Sequence, residues 1–391
     1  MSAPQLFKII PLTTKEISFL QSLLPAVKEA GVTVTSTMYQ HMFKTYPEVK
    51  PYFNMTNQRT GKQPKILAFA LYQYILHLNN LSPISGFVNQ IVVKHCGLGI
   101  KPDQYPIVGT CLIHAFKTVL GSAADDHFVD VLSKAYGNLA QTLINAEENI
   151  YKTQQWRGFK DFKVTKLVKE SENVTSVYLT PIDDMILKPI IPGEYISLKW
   201  DINDLDSGIL PREYSISNNV ENNEYRISVK KLENGKVSTF VNSKLQIGDI
   251  LPVHSPIGNM IYDSSNSKKP NIVILAGGIG ITPMITIIEA ALKDGKDVQL
   301  FYSSRSENDE PFKSTFENLK IKYSSNFKFN QFITSNGKRL KLNDLDFISK
   351  DNYDVYLLGP DGYMHEFKTY LNSKGIDDIK MEFFGPTVVS V

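Results

Sequence analysis

The sequence predicts three domains of three fold classes: an all-α domain over residues 1–151, an antiparallel β-barrel over 152–268, and a doubly wound α/β domain over 269–391. Three observations carry this. Apolar residues recur at helix spacing through the first third with no strand pattern. Short alternating runs separated by turn dipeptides follow. Continuous apolar runs alternating with helical patterns close the chain. A chain of 391 residues also exceeds what one ordinary core holds.

In the first part, Ile17, Leu20, Leu24 and Val27 mark one helix face, and Ile66, Phe69, Ala70 and Leu76 another. A turn-rich segment from Tyr46 to Gly61 separates them. Thr60 or a neighbour is expected to cap the next helix, with Pro64 in its first turns, where a missing N–H is harmless. A further apolar pattern runs from Ile107 to Leu120, and a last helix from about His127 through Ile144. Residues 152–158 are polar and read as a linker. The runs around Phe162-Val164-Leu167, Val177-Leu179, Tyr195–Trp200, Tyr214–Ile216 and Tyr225–Val229 predict strands, with turns at Pro192-Gly193, Asn234-Gly235 and Gly248-Asp249. From Pro270 the runs Asn271–Ala276, Val298–Tyr302 and Tyr353–Leu358 predict buried parallel strands, with a helix from Pro283 to Lys293 after the first.

Composition narrows the function. With 42 basic and 40 acidic residues, the chain as a whole offers no broad field for nucleic acid or an anionic membrane. Cys96 and Cys111 are the only cysteines, which suits a reducing compartment. No signal-peptide pattern opens the chain and no window approaches bilayer-spanning length, so a soluble, cytoplasmic, monomeric protein is expected.

Two stretches carry chemistry. Gly277-Gly278-Ile279-Gly280-Ile281-Thr282-Pro283 follows a predicted buried strand. Its glycines let the backbone approach a pyrophosphate. Thr282 as N-cap and Pro283 as first helical residue would aim helix amides at an anion. The spacing is not GxGxxG, but the strand–turn–helix context points to dinucleotide binding. The second stretch is Lys94-His95-Cys96-Gly97-Leu98-Gly99. None of the other six histidines forms a zinc-type pairing with His95. A lone imidazole is what a haem iron requires, because the porphyrin supplies the equatorial ligands. Taken alone, His95 is more often an ordinary side chain.

The order of Pro192-Gly193-Glu194-Tyr195, Arg212-Glu213-Tyr214-Ser215, Gly235-Lys236-Val237-Ser238, Gly277 through Pro283, and Gly359-Pro360 resembles the ferredoxin-NADP⁺ reductase superfamily. The segments MYQHMF, FNMTNQRTGKQP and KHCGLGIKPDQYPIVG resemble the globin domain of flavohaemoglobins. Together they resemble a fungal-type flavohaemoglobin, a family of NAD(P)H-dependent nitric oxide dioxygenases with haem b, FAD and NAD(P)H as cofactors and O2 and NO as gaseous ligands. The resemblance makes His95 the proximal iron ligand, backed by Tyr105 and Glu147. It makes Tyr39 the distal hydrogen-bond donor, with Gln63 and Leu67 facing the pocket and Phe53 packing on the porphyrin.

By the same resemblance, Arg212, Glu213, Tyr214 and Ser215 hold FAD, with Tyr195 near the ring and Gly235, Val237 and Ser238 near the pyrophosphate. Gly278, Ile279, Gly280, Ile281, Thr282 and Pro283 take the nucleotide phosphates beside Gly359 and Pro360. Glu382, Phe383, Phe384, Gly385 and Pro386 match the C-terminal segment, with Phe384 over the flavin, and Lys94 and Glu382 match charged positions that tune flavin and haem. Without the resemblance, Tyr105 would pass for a packed aromatic and Glu147 for a solvated helix face. Leu358 and Phe383 stand where the family usually has cysteine, and Ala146 where an arginine often precedes the glutamate. The lost thiols put hydride-transfer rate in doubt, though not cofactor binding. Two alternatives stay open: a peroxide or oxygen reductase using the same electron path, and a haem-based gas sensor with an impaired reductase.

Overall fold

A computed structural model describes residues 3–55, 58, 60–202 and 209–384. It divides into two compact units, one built mainly from residues up to Gly158 and the other from Phe159 to Ile202 and Arg212 to Phe383.

The first unit is helical: α1 (Thr14–Ser22), α2 (Leu24–Thr45), α3 (Lys62–Leu76), α4 (Ser85–Leu98), α5 (Tyr105–Leu120) and α6 (Asp126–Thr153). A capping box starts α1, with Thr13 and Glu16 satisfying each other's backbone N–H. Asp125 accepts from the Phe128 N–H to start α6. Val34, Met38, Met42, Cys111, Leu112, Ala115 and Phe116 meet in the core between α2 and α5.

Two sequence expectations shift here. The last helix continues through Glu147 and Glu148 to Thr153, so the polar 152–158 stretch begins inside it. The cap of α3 is, as expected, a neighbour of Thr60, Gly61 at φ +71°, and Pro64 lies buried in its first turn. The stretch Pro102–Ala123 is, by length and composition, one helix long and apolar enough to cross a membrane, which the sequence reading missed. Several of its apolar residues, Cys111, Leu112, Ala115 and Phe116, are instead buried in the helical core.

The second unit holds two sheets. The first is antiparallel and contains β1 (Phe159–Ser171), β2 (Val174–Pro181), β3 (Tyr195–Asp201), β4 (Ile209–Ser215), β5 (Tyr225–Lys230) and β6 (Ile250–His254), in the order β4-β3-β6-β1-β2-β5. A bridge between Ile216, just past β4, and Ile227 of β5 joins the outer strands and closes the barrel. Helix α7 (Lys236–Ser243) follows β5. Arg212 lies mid-way along β4 rather than at its start.

The second sheet is parallel: β7 (Asn271–Gly277), β8 (Asp297–Ser304), β9 (Phe327–Ile333), β10 (Tyr353–Leu358) and β11 (Ile379–Met381), in the order β11-β10-β7-β8-β9. Helices α8 (Thr282–Lys293), α9 (Lys313–Lys322) and α10 (Asp361–Ser373) lie between its strands in sequence. Ile272 through Ala276 are fully buried, as the continuous apolar run predicts. From β7 the chain proceeds outward on one side, and from β10 on the other. The junction of β7 and β10 is therefore the topological switch point, where open α/β sheets bind ligands.

One contact sets the site in the helical unit. A Cβ built on Gly109 would lie 2.5 Å from the Tyr136 ring, so only glycine lets α6 lay that ring across α5. From there the Tyr136 hydroxyl donates to the Tyr105 carbonyl at 2.6 Å. Gly109→Ala is expected to destabilise the protein by about 1–3 kcal/mol through overpacking, despite alanine's better helix propensity. Urea unfolding checks this; an unchanged midpoint would contradict it.

Candidate functional site

His95 sits in the last turn of α4, and Glu147 reaches it from the last two turns of α6. His95 Nδ1 lies 2.9 Å from Glu147 Oε1 and 3.0 Å from the Tyr105 hydroxyl. The Tyr105 hydroxyl donates to the same carboxylate oxygen. Glu147 is 2% exposed and Tyr105 6%. Burial, with the Glu147 charge adding to it, pushes the Tyr105 phenol well above its ordinary pKa, so it stays a donor. A carboxylate accepting at Nδ1 fixes the N–H there and leaves the Nε2 lone pair free for a ligand bond.

Glu148 is buried as well, paired with Arg157 at 2.8 Å, whose guanidinium stacks on Tyr151. Neither glutamate lies on the solvated face that their spacing alone would allow. Lys94, next to His95, is half-buried on α4.

Tyr39 lies on α2 with its hydroxyl hydrogen-bonded to Gln63 of α3; burial pushes its pKa up to about 12 and the Gln63 bond opposes that rise. Phe43 stacks on the Tyr39 ring at 5.8 Å, and Phe53 meets both edge-on at 5.6 and 5.2 Å. Leu67 packs on the same cluster. Phe43 was not singled out from the sequence, although its place four residues after Tyr39 on one helix face could have found it.

In the barrel, Arg212 and Tyr214 project from one face of β4, and burial pulls the guanidinium below its ordinary value. Tyr214 meets Trp200 edge-on at 6.1 Å. Ser215 is buried, Glu213 half-buried, and Tyr195 exchanges backbone bonds with Ile257. Gly235 caps α7, where any Cβ would sit 2.4 Å from Ser238 Oγ. The Ser238 hydroxyl is engaged inside this turn, accepting from Leu232 N–H and donating to Gly235 C=O. Val237 is buried behind it.

At the switch point, Gly278 has φ +55° and open space where a side chain would stand. Gly280 packs so tightly on β10 that a Cβ would lie 2.4 Å from the Leu358 carbonyl oxygen, and Gly277 abuts Pro360 and Gly359. The expected cap shifts by one residue: Ile281 is the N-cap, Thr282 the first helical residue and Pro283 the second, after a short 3₁₀ turn over Gly278–Ile281. The Thr282 hydroxyl donates back to Ile279 C=O at 3.0 Å and so caps no amide. The amino end of α8 keeps its donors free of any side-chain cap.

Three family profiles match the chain: Globin over residues 36–143, Oxidoreductase FAD-binding domain over 161–262, and Oxidoreductase NAD-binding domain over 274–368. A flavohemoprotein of Candida norvegensis is 67% identical over 387 residues, covering 99% of this chain and 98% of that protein. The chain belongs to the flavohaemoprotein family. A crystal structure of flavohemoglobin from Malassezia yamatoensis with bound FAD and heme matches 96% of this chain and all of that one, with TM-score 0.86 and 27% identity. The flavohem-like FAD/NAD-binding domain of nitric oxide dioxygenase from Vibrio cholerae covers 59% of this chain and all of its own, with TM-score 0.52 and 28% identity.

A flavohaemoprotein is an oxidoreductase using haem, FAD and a nicotinamide nucleotide, and the residues present fit each. Among the described residues no cluster of three or more His, Cys, Asp or Glu could chelate a metal ion. An iron on His95 therefore suits a macrocycle that brings the other ligands. A half-buried cation beside an aromatic on one strand face suits the phosphate and ring of a flavin, and the uncapped end of α8 under Gly278 suits a pyrophosphate.

Leu358 is fully buried at the end of β10, and half-buried Phe383 packs on the α/β core. Glu382 accepts from the Phe383 N–H, and Phe384 is 53% exposed. Gly385 and Pro386 lie outside the described residues.

Glu194, between Gly193 and Tyr195 in the first reductase motif, is given no role of its own by the sequence. Burial raises its carboxyl from 4.5 to about 7. The folded protein then holds a proton that the unfolded chain releases, so the neutral acid's stabilisation is complete below pH 4.5 and lost as pH rises to about 7. Glu194→Gln is expected to flatten the stability–pH profile of the apo-protein across that window. An unchanged slope in urea titrations would contradict it.

Proposed function

We propose that the protein is a nitric oxide dioxygenase that draws electrons from NAD(P)H and converts NO and O2 to nitrate. The observation that carries the reading is the hydrogen-bonded cluster of buried Glu147 and Tyr105 on half-buried His95. When bound, the cofactors turn one two-electron hydride into single electrons for dioxygen, so that NO, O2 and one electron give one nitrate.

The chain's own residues do the rest. Glu147 accepts a hydrogen bond from the N–H of His95 Nδ1, holding the imidazole in one tautomer and raising its electron donation at Nε2, which favours O–O activation. Tyr105 keeps its proton and steadies that carboxylate. Tyr39 holds a proton at its hydroxyl, anchored by Gln63 amid Phe43, Phe53 and Leu67, as a donor to dioxygen in an apolar pocket. Arg212 and Tyr214 bind FAD. Because the Ser238 hydroxyl is taken up in its own turn, the backbone amides that open α7 are left as donors to the flavin's pyrophosphate. Gly278 and the first amides of α8 bind the nucleotide phosphates. The nitric oxide dioxygenase domain named among the structural matches supports the same reading.

The test is NO consumption by the haem- and FAD-loaded protein with O2 and either NADH or NADPH. Stoichiometric nitrate is expected, and Tyr39→Phe should lower the rate by about 10²-fold, as loss of one preorganised donor does. Loaded protein that consumes no NO with either nucleotide overturns the proposal.

A further inference from the structure

Thr286 has no assigned role, yet it lies where the two halves of the reductase meet. It sits in the first turns of α8, three residues after Pro283, and is fully buried. Its hydroxyl donates to the Pro283 carbonyl at 3.1 Å, which turns its acceptor lone pair outward from the helix. That lone pair accepts from the backbone N–H of Gly193 at 3.1 Å. Gly193 belongs to the barrel turn that leads directly into β3 and Tyr195.

The turn cannot easily be re-aimed. Gly193 has φ +99°, and a Cβ there would lie 2.1 Å from the Met260 carbonyl oxygen. Next to it, Pro192 C=O accepts from Tyr262 N–H at 2.9 Å. The Tyr262 hydroxyl in turn donates to Asp294, at the far end of α8, at 2.8 Å. Helix α8 is thus tied to the barrel near both ends, with Asn219 donating to Glu289 between them, and the Thr286 hydroxyl is the tie nearest its amino end among the described residues.

We propose that Thr286 is a positioning residue for hydride transfer. Its hydroxyl locks the Pro192-Gly193 turn of the flavin barrel to the amino end of the dinucleotide-binding helix, and so sets the separation of flavin and nicotinamide. The proposal rests on the reading that places FAD beside Tyr195 and the nucleotide phosphates at Gly278–Pro283. Domains joined by modest interfaces move by default, and hydride transfer tolerates little displacement of its partners. One buried hydrogen bond between the two binding elements is an economical way to hold them.

Thr286→Val keeps the shape and removes both the donor and the acceptor; Thr286→Ser restores them. In the full-length apo-protein, hydrogen exchange at the Gly193 amide should quicken in the valine variant and return toward wild type in the serine one. In the loaded protein without oxygen, the limiting rate of flavin reduction by NADH or NADPH should fall about tenfold in Thr286→Val, with serine rescuing it. Nucleotide half-saturation, FAD content and reduction by dithionite should stay as in wild type. Valine protein that reduces its flavin at the wild-type rate, or keeps Gly193 protected, overturns the proposal alone. Wild-type flavin that neither nucleotide reduces overturns the electron path and the proposal with it.

Discussion

A carboxylate taken out of water must be matched by hydrogen bonds or it will not stay charged. In the helical unit that constraint falls on Glu147, and much of the globin fold answers it. Helix α4 brings the imidazole N–H and α5 brings the phenol. Helix α6 carries the carboxylate itself at the depth where both reach one oxygen. Gly109 and Tyr136 then fix the start of α5, because the Tyr136 hydroxyl grips the carbonyl of Tyr105. The neighbouring Glu148 meets the same demand separately, through Arg157. Two adjacent buried acids on one helix are each given their own cation or donor set, so neither competes for the other's partners.

The reductase unit is governed by close backbone approach. At the switch point Gly280 and Gly277 let the turn after β7 touch the end of β10, while Gly278 leaves space above the helix amides. The same economy appears at Gly193, whose missing side chain admits the Met260 carbonyl and places an N–H against Thr286. Leu358 fills the end of β10 without disturbing this geometry.

Periodicity made the three fold classes legible, because burial on one face, on two faces or around a helix stripe leaves different repeats. The glycine turn was legible for the same reason, since few sequences tolerate such a run between a strand and a helix. Its cap was misplaced by one residue because Thr282 can donate backward as readily as accept forward, and the sequence does not say which. The last helix was ended too early at Ile144, since Glu147 and Glu148 look like a solvent-facing stretch until their partners, 42 and 9 residues away in the chain, are in place. Gly109 with Tyr136 and Gly193 with Thr286 left no local signal at all. Such pairs are properties of packing between distant segments, and only coordinates show them. The Pro102–Ala123 helix shows the reverse case, apolar enough for a membrane by composition while several of its apolar side chains are buried in the core.

The central claim is that one chain carries electrons from a nicotinamide nucleotide through flavin to haem. The most direct measurement is rapid-mixing spectroscopy of the loaded protein with NADH or NADPH in the absence of oxygen. The account predicts flavin bleaching followed by a ferric-to-ferrous shift of the Soret band. Flavin that bleaches while the Soret band stays ferric would contradict it.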